Sequence, residues 1–189
     1  MIERGLAKEG RAREPNPHGK VIEEVLIARE DVFAEGDPWP NALNYIHVMT
    51  RDEVVRRDVL LKPGDVWDAE KAAETERVLR RLIYIAVARI VPLQGINGGI
   101  ALLVVTKDRV SLRPNSFFVV VGDILQVPLI RPSEWNFLGR GQKLVVEFLL
   151  YLDTLQISET FIEPRLFGTK LSLSEFVGVI VNRQTGDPE

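Results

Sequence analysis

Two histidines and no cysteine occur among 189 residues. The side chains that most often transfer protons, attack carbonyls or hold transition metals are therefore scarce. His18 lies in the turn-rich run Ala12–Gly19, and His47 in a loop ahead of a helical pattern. Without a thiol or further imidazoles they complete neither a nucleophilic triad nor a histidine-rich metal site. Glu23 and Glu24 are neighbours in an extended run, which puts them on opposite faces and makes them a poor acid/base pair. The run GINGG lacks the GxGxxG spacing, and no GxxxxGK[ST] phosphate loop exists. Asp108 reads as the end of a strand. These observations predict no catalytic residue, no metal, no cofactor and no enzyme. A net charge of −3 with no clustered basic excess argues against a nucleic-acid partner.

What remains is chemistry of the main chain, so the elements matter more than single side chains. Residues 1–20 read as a disordered lead-in, with AREPNPHG rich in turn formers. VIEEVLIARE, from Val21, has the length and β-branching of a strand. After a loop with two prolines, Thr50 and Glu53 stand at capping-box spacing, followed by VVRRDVLL with Val55 and Val59 on one side. KPGD stops that helix. Asp68 is placed as the N-cap of a second helix, with Trp67 and Ala72 as a hydrophobic staple and Ala72, Leu79, Leu82 and Ile83 on one face. Tyr84–Leu93 and Ile100–Asp108 then read as a hairpin across QGINGG. The order is β-α-α-β-β, an α+β domain over residues 21–113 with two helices on one face of a three-stranded sheet. Ile100–Val105 belongs in the middle, between Val21–Ala28 and Tyr84–Val91. That leaves Tyr84, Ile85, Ala86, Val87, Ala88, Arg89, Ile90 and Val91 as an edge able to add a client strand through main-chain hydrogen bonds, with Arg89 and Pro92 blunting it.

Near Pro114–Asn115 the character changes. Residues 1–115 hold 18 Lys/Arg and 18 Asp/Glu, whereas residues 116–189 hold 6 and 9. No run approaches the roughly 18–20 apolar residues of a membrane helix, and MIERGLAKEG contains no apolar stretch of the secretory-leader kind. Instead SFFVVVGDILQVPLI, QKLVVEFLLYL, TLQISETFIEP and KLSLSEFVGVIVN read as antiparallel strands. Leu144, Val146, Phe148, Leu150 and Leu152 share one register and suit a lipid-facing row, while Glu147, Tyr151 and Asp153 fall in the other. Trp135 and Phe137 suit an interfacial girdle. A soluble sheet alternates in the same way, so that alternative stands beside the barrel. Four or five strands close no barrel, whose bacterial single-chain forms begin at about eight. NRQTGDPE ends in turn formers, and the expectation is a fragment whose residues 116–189 are the first strands of an incomplete transmembrane β-barrel.

The segment VVRRDVLLKPGDVWDAEKAAETERVLRRL within a β-α-α-β-β unit resembles a POTRA domain, and TKDRVSL resembles its exit into a barrel. EWNFLGRGQKL followed by FIEPRLFGTKLSL resembles the opening strands of the BamA/TamA-like outer-membrane assembly factors, the bacterial surface-antigen family. The resemblance spans about Val21 to Asn182. It implies a protein of the Gram-negative outer membrane with its N-terminal domain in the periplasm, in contact with outer-membrane lipid. The implied partners are unfolded barrel-protein clients or a secreted substrate, with periplasmic accessory proteins possible. It implies a periplasmic turn at Asn136, Gly139 and Gly141, and a gate strand beginning at Ser116 and Phe117, its pairing loosened by Gly122 and Pro128. The implied function is barrel-protein assembly and insertion. The alternatives are an outer-membrane transporter or secretion pore of the same superfamily, and a soluble α+β binding module.

Overall fold

The computed structural model describes residue 3 and residues 9–33, 47–121, 124–151 and 154–182. The chain divides into two compact units, Met1–Val110 and Ser111–Glu189. In the first, β1 (Ile22–Glu30) precedes α1 (Asp52–Arg56), α2 (Ala69–Arg81), β2 (Ile85–Gln94) and β3 (Ile100–Asp108). The sheet order is β1-β3-β2, with β1 parallel and β2 antiparallel to the central β3. This is the order expected from the hairpin. A central strand buried on both faces needs a continuous apolar run rather than alternation. IALLVV meets that demand, and Ile100 to Val105 are all fully buried. Ile100, Leu102 and Val104 pack with Val54, Val55, Ala72 and Leu79 of the helices, while Ala101, Leu103 and Val105 join Ala28, Val91 and Leu93 on the other side.

The helices differ in how they start. Asp68 caps α2 as expected, its Oδ1 accepting the N–H of Glu70 at 2.9 Å and of Lys71 at 3.0 Å. Trp67 packs on the same cluster as Ala72. The capping box at Thr50 and Glu53 does not form. Arg51 is the N-cap of α1, with no side-chain cap, and α1 ends at Arg56. Thr50 is instead buried and turned to Asp108, whose Oδ2 accepts its N–H at 2.6 Å and its hydroxyl at 2.9 Å. A carboxylate beneath the sheet outcompetes the local helical acceptor.

The lead-in also departs from the expectation. Arg13 forms an antiparallel bridge with Leu93, so part of this turn-rich segment is extended and paired. Backbone donors and acceptors at a sheet edge supply the order that the local sequence lacks.

Among the described residues the second unit is a meander of five strands in sequence order. They are β4 (Leu112–Val121), β5 (Ile124–Phe137), β6 (Gln142–Tyr151), β7 (Thr154–Glu163) and β8 (Leu173–Asn182), with a short 3-10 turn at Leu166–Gly168 before the last. Two expectations are corrected. Pro114 and Asn115 lie inside β4 rather than at the boundary, which falls between Val110 and Ser111. SFFVVVGDILQVPLI holds parts of two strands, because β4 and β5 pair antiparallel with Val121 opposite Ile124.

Removing the side chain of Leu102, fully buried at the centre of the first unit, tests which strand organises it. Leu102→Ala is expected to cost about 2–5 kcal/mol, read as a lowered urea midpoint by far-ultraviolet circular dichroism.

A candidate strand edge and an apolar sheet face

Pro92 has no N–H, so its pairing with Leu102 leaves its carbonyl directed away from β3. Strand alternation then makes Ala88, Ile90, Pro92 and Gln94 the outward-directed positions of β2. This outer edge, predicted as a client site over Tyr84–Val91, is partly occupied, at Ile90 within that span and at Pro92 and Gln94 beyond it. The Ile90 N–H donates to Glu76 Oε1 at 2.9 Å, and Arg89 Nη1 lies 3.2 Å from Glu76 Oε2. Gln94 N–H donates to the Ala12 carbonyl at 2.9 Å, and Glu14 N–H to the Pro92 carbonyl at 2.9 Å. Ile85 and Ala88 are buried, and a register shift separates Ile85 from Val87. Tyr84 is buried just before β2, and burial pushes its phenol up to about 12, with Arg57 opposing the rise.

Of the titratable residues weighed for chemistry, Glu23, His47 and Asp108 make contacts within the fold. Glu23, set aside as half of a poor acid/base pair, holds the β2–β3 loop. Its carboxylate accepts the N–H of Gly99 at 2.7 Å, Ile96 at 2.8 Å and Asn97 at 3.0 Å. Burial would raise this carboxyl, but those three N–H groups, aided by Arg11, prevail and hold it below the ordinary carboxylate range. A Cβ on Gly99 would stand 2.5 Å from the Val21 carbonyl oxygen, which explains the glycine there. His47 Nε2 lies 3.1 Å from Asp108 Oδ2, both side chains almost fully buried. The sequence separates these residues by 61 positions and no short-range signal joins them. His18 lines a shallow cleft with Trp67 and Lys71.

The two faces of the second unit have different chemistry. Directly paired residues in an antiparallel sheet share a face. Ile130 pairs with Phe148, Phe148 with Ile157, and Ile157 with Val179, giving an apolar row across four strands. All four are exposed, at 46%, 41%, 43% and 61%. Leu150, Leu155 and Val181 make a second row. The neighbouring row on the opposite face is polar: Arg131 Nε lies 3.2 Å from Glu147 Oε2, and Glu147 pairs with Ser158. Leu144 and Val146 continue this side, where Glu134, paired with Leu144, Glu159, paired with Val146, and Glu175, paired with Phe161, are exceptions. Leu152 lies outside the described residues.

At the Gly-Arg-Gly turn the backbone takes left-handed conformations at Gly139 (φ 71°) and Gly141 (φ 70°), which glycine adopts without a Cβ clash. Buried Asn136 closes it, its Oδ1 accepting the Gly141 N–H at 2.8 Å. Trp135 carries Lys143 Nζ at 3.8 Å from its ring centroid and Arg113 Cζ at 5.1 Å, a cation–π arrangement. In the predicted gate strand, Ser116 and Phe117 are exposed members of β4. Gly122 lies outside the described residues. Pro128 belongs to β5 rather than to the first strand, where the ladder shifts register between Phe117 and Val119. An irregularity is where a sheet tolerates proline.

No family model matches the chain. Over 132 residues it is 29% identical to a putative outer membrane protein assembly factor of Treponema pallidum, a match covering 66% of this chain and 16% of that protein. The crystal structure of BamA from Haemophilus ducreyi lacking POTRA domains 1–3 superposes with a TM-score of 0.58 at 16% identity, over 82% of this chain and 27% of that one. The chain resembles outer-membrane assembly factors. The second match is one of fold, and in both cases this chain spans well under a third of the longer relative.

The Glu23 geometry sets a pH dependence. Because the folded carboxyl sits below its ordinary value, its contribution is complete above the unfolded pKa of about 4.3 and disappears as pH falls through the lower folded value. Glu23→Gln is expected to lower the urea midpoint at pH 7, with the deficit against the parent shrinking toward pH 3.

Proposed function

We propose that this chain forms part of an outer-membrane protein assembly factor. In this reading the first unit is a POTRA-like periplasmic domain that receives client strands, and the second is a stretch of barrel wall. The observation that carries it is the exposed row Ile130–Phe148–Ile157–Val179 backed by a polar row on the other face. An apolar band outside and a polar lumen inside is the pattern of a transmembrane barrel wall. An exposed apolar patch running across several strands otherwise marks an interaction surface.

Five strands in an open sheet cannot rest in hydrocarbon, because each unpaired edge group costs several kcal/mol there. The wall is therefore completed by further strands. Their source is the longer protein to which the matched relatives correspond. Trp135, with Lys143 and Arg113 against its ring, suits the boundary between hydrocarbon and water. The mechanism is non-enzymatic. The first unit offers main-chain hydrogen bonds along β2, and the wall gives the client access to lipid.

Two measurements test this. Phe148→Arg in the full-length protein is expected to cost about 2–4 kcal/mol in lipid, seen as reduced folding into vesicles, whereas Glu147→Arg on the polar face has a smaller effect. Depletion of the full-length protein should remove many barrel proteins from the outer membrane. Loss of a single secreted polypeptide instead would redirect the assignment to a secretion pore. A monodisperse, fully folded chain in water without detergent would overturn both.

A further inference from the structure

The β2 edge already carries an extended strand, and that strand is the chain's own. Ala12 to Glu14 run antiparallel to β2, joined by Glu14 N–H to the Pro92 carbonyl and Gln94 N–H to the Ala12 carbonyl, with Arg13 opposite Leu93. Charges hold both ends. Arg11 Nη1 lies 2.6 Å from Glu24 Oε1 on β1, and Lys20 Nζ lies 2.7 Å from Glu14 Oε2. The pairing then stops. Pro15 follows Glu14 and fixes φ at about −65°, away from a pleated strand, and the Asn16 N–H, the next donor in this register, turns back to Glu14 Oε1 at 3.0 Å. The next outward donor of β2, the Ile90 N–H, is taken by the Glu76 carboxylate instead.

The geometry points to residues 11–14 as an internal occupant of a strand-docking site. They are displaced by an extended client segment that runs in the same direction and pairs further along β2. This rests on the reading of β2 as the client edge. A client that stays extended beyond the position of Glu14, with the N–H at the position of Asn16 free to face β2, continues past Pro92, releases Glu76 and pairs with Ile90, so it makes bonds the internal segment does not. The flanking charges define the partner: an extended peptide with a basic residue three positions before an acidic one, as Arg11 stands to Glu14, meets Glu24 and Lys20 in the same register. The internal strand thus acts as competitor and template. Weak or mismatched segments are excluded, because they must displace a competitor held at high effective concentration by its own chain.

The test uses the full-length protein in detergent micelles. The probe is a dye-labelled synthetic peptide of residues 9–16 carrying Pro15→Val. Binding is read by fluorescence anisotropy, and its location by hydrogen exchange at the Ile90 and Gln94 amides. Glu14→Pro removes the donor to Pro92 and the partner of Lys20. It is expected to bind the probe about tenfold more tightly than the parent, the factor for a segment docked nine-tenths of the time. Protection of Ile90 should persist in the complex after Glu76→Ala. Arg11→Ala leaves the backbone pairing, Glu24 and Lys20 intact and should give a smaller gain in affinity, about threefold by the same relation; it decides the matter if Glu14→Pro does not fold. Equal affinity in parent and variants, with Ile90 and Gln94 protected, overturns the competitor role while keeping the edge as a client site. Absence of binding in every form, or binding that leaves both amides unprotected, overturns the edge reading and the competitor together.

Discussion

A strand cannot leave its backbone N–H and C=O groups idle without cost, and both units are organised around that constraint. The first unit meets it at close range. At the start of β1, the Ile22 N–H donates to the Asp65 carbonyl and the Ile22 carbonyl accepts the Gly64 N–H. Further along, Arg56 donates to the Val25 carbonyl. On β2, Glu76 and residues 12–14 perform the same service. These are piecemeal solutions, built from single side chains and short segments rather than a further full strand. They satisfy part of each edge.

The second unit meets the constraint only along its interior. Each of β5, β6 and β7 has a neighbour on both sides, whereas β4 and β8 are the outermost strands among the described residues. Every residue of β8 is exposed, including Phe176 and Ile180 on one face and Val177 and Val179 on the other. A strand apolar on both faces and at the margin of its sheet is adapted to surroundings that cover it, which joins the resemblance to outer-membrane assembly factors to the physics of the sheet itself.

Much of this was legible in the sequence, and the parts that were not share a cause. IALLVV announced a strand buried on both faces, Asp68 announced the start of α2, and the spacing of Leu144 to Leu150 announced one apolar side of β6. All are local patterns, with the deciding residues within a turn or a few pleats of one another. Thr50 illustrates the opposite case. Its spacing to Glu53 invites a cap, but Asp108, distant in sequence, takes both its donors. Glu23 likewise gave no hint that it would hold a loop more than seventy residues away. The extended stretch at Arg13 is unreadable in a run of prolines, because β2 imposes it from outside. The division of one apolar run between β4 and β5 was a different kind of miss, since both strands share the same composition.

The parallel alignment of β1 with β3 has a mechanical consequence. The chain enters the sheet at Ile22 and leaves it at Asp108, and because these strands run the same way those points lie at opposite ends of the ladder. Tension applied between them slides the two strands lengthwise, so the hydrogen bonds from Glu24 to Glu30 are strained together instead of parting in turn like a zip. The domain is thereby suited to bear a pull along the polypeptide without unravelling.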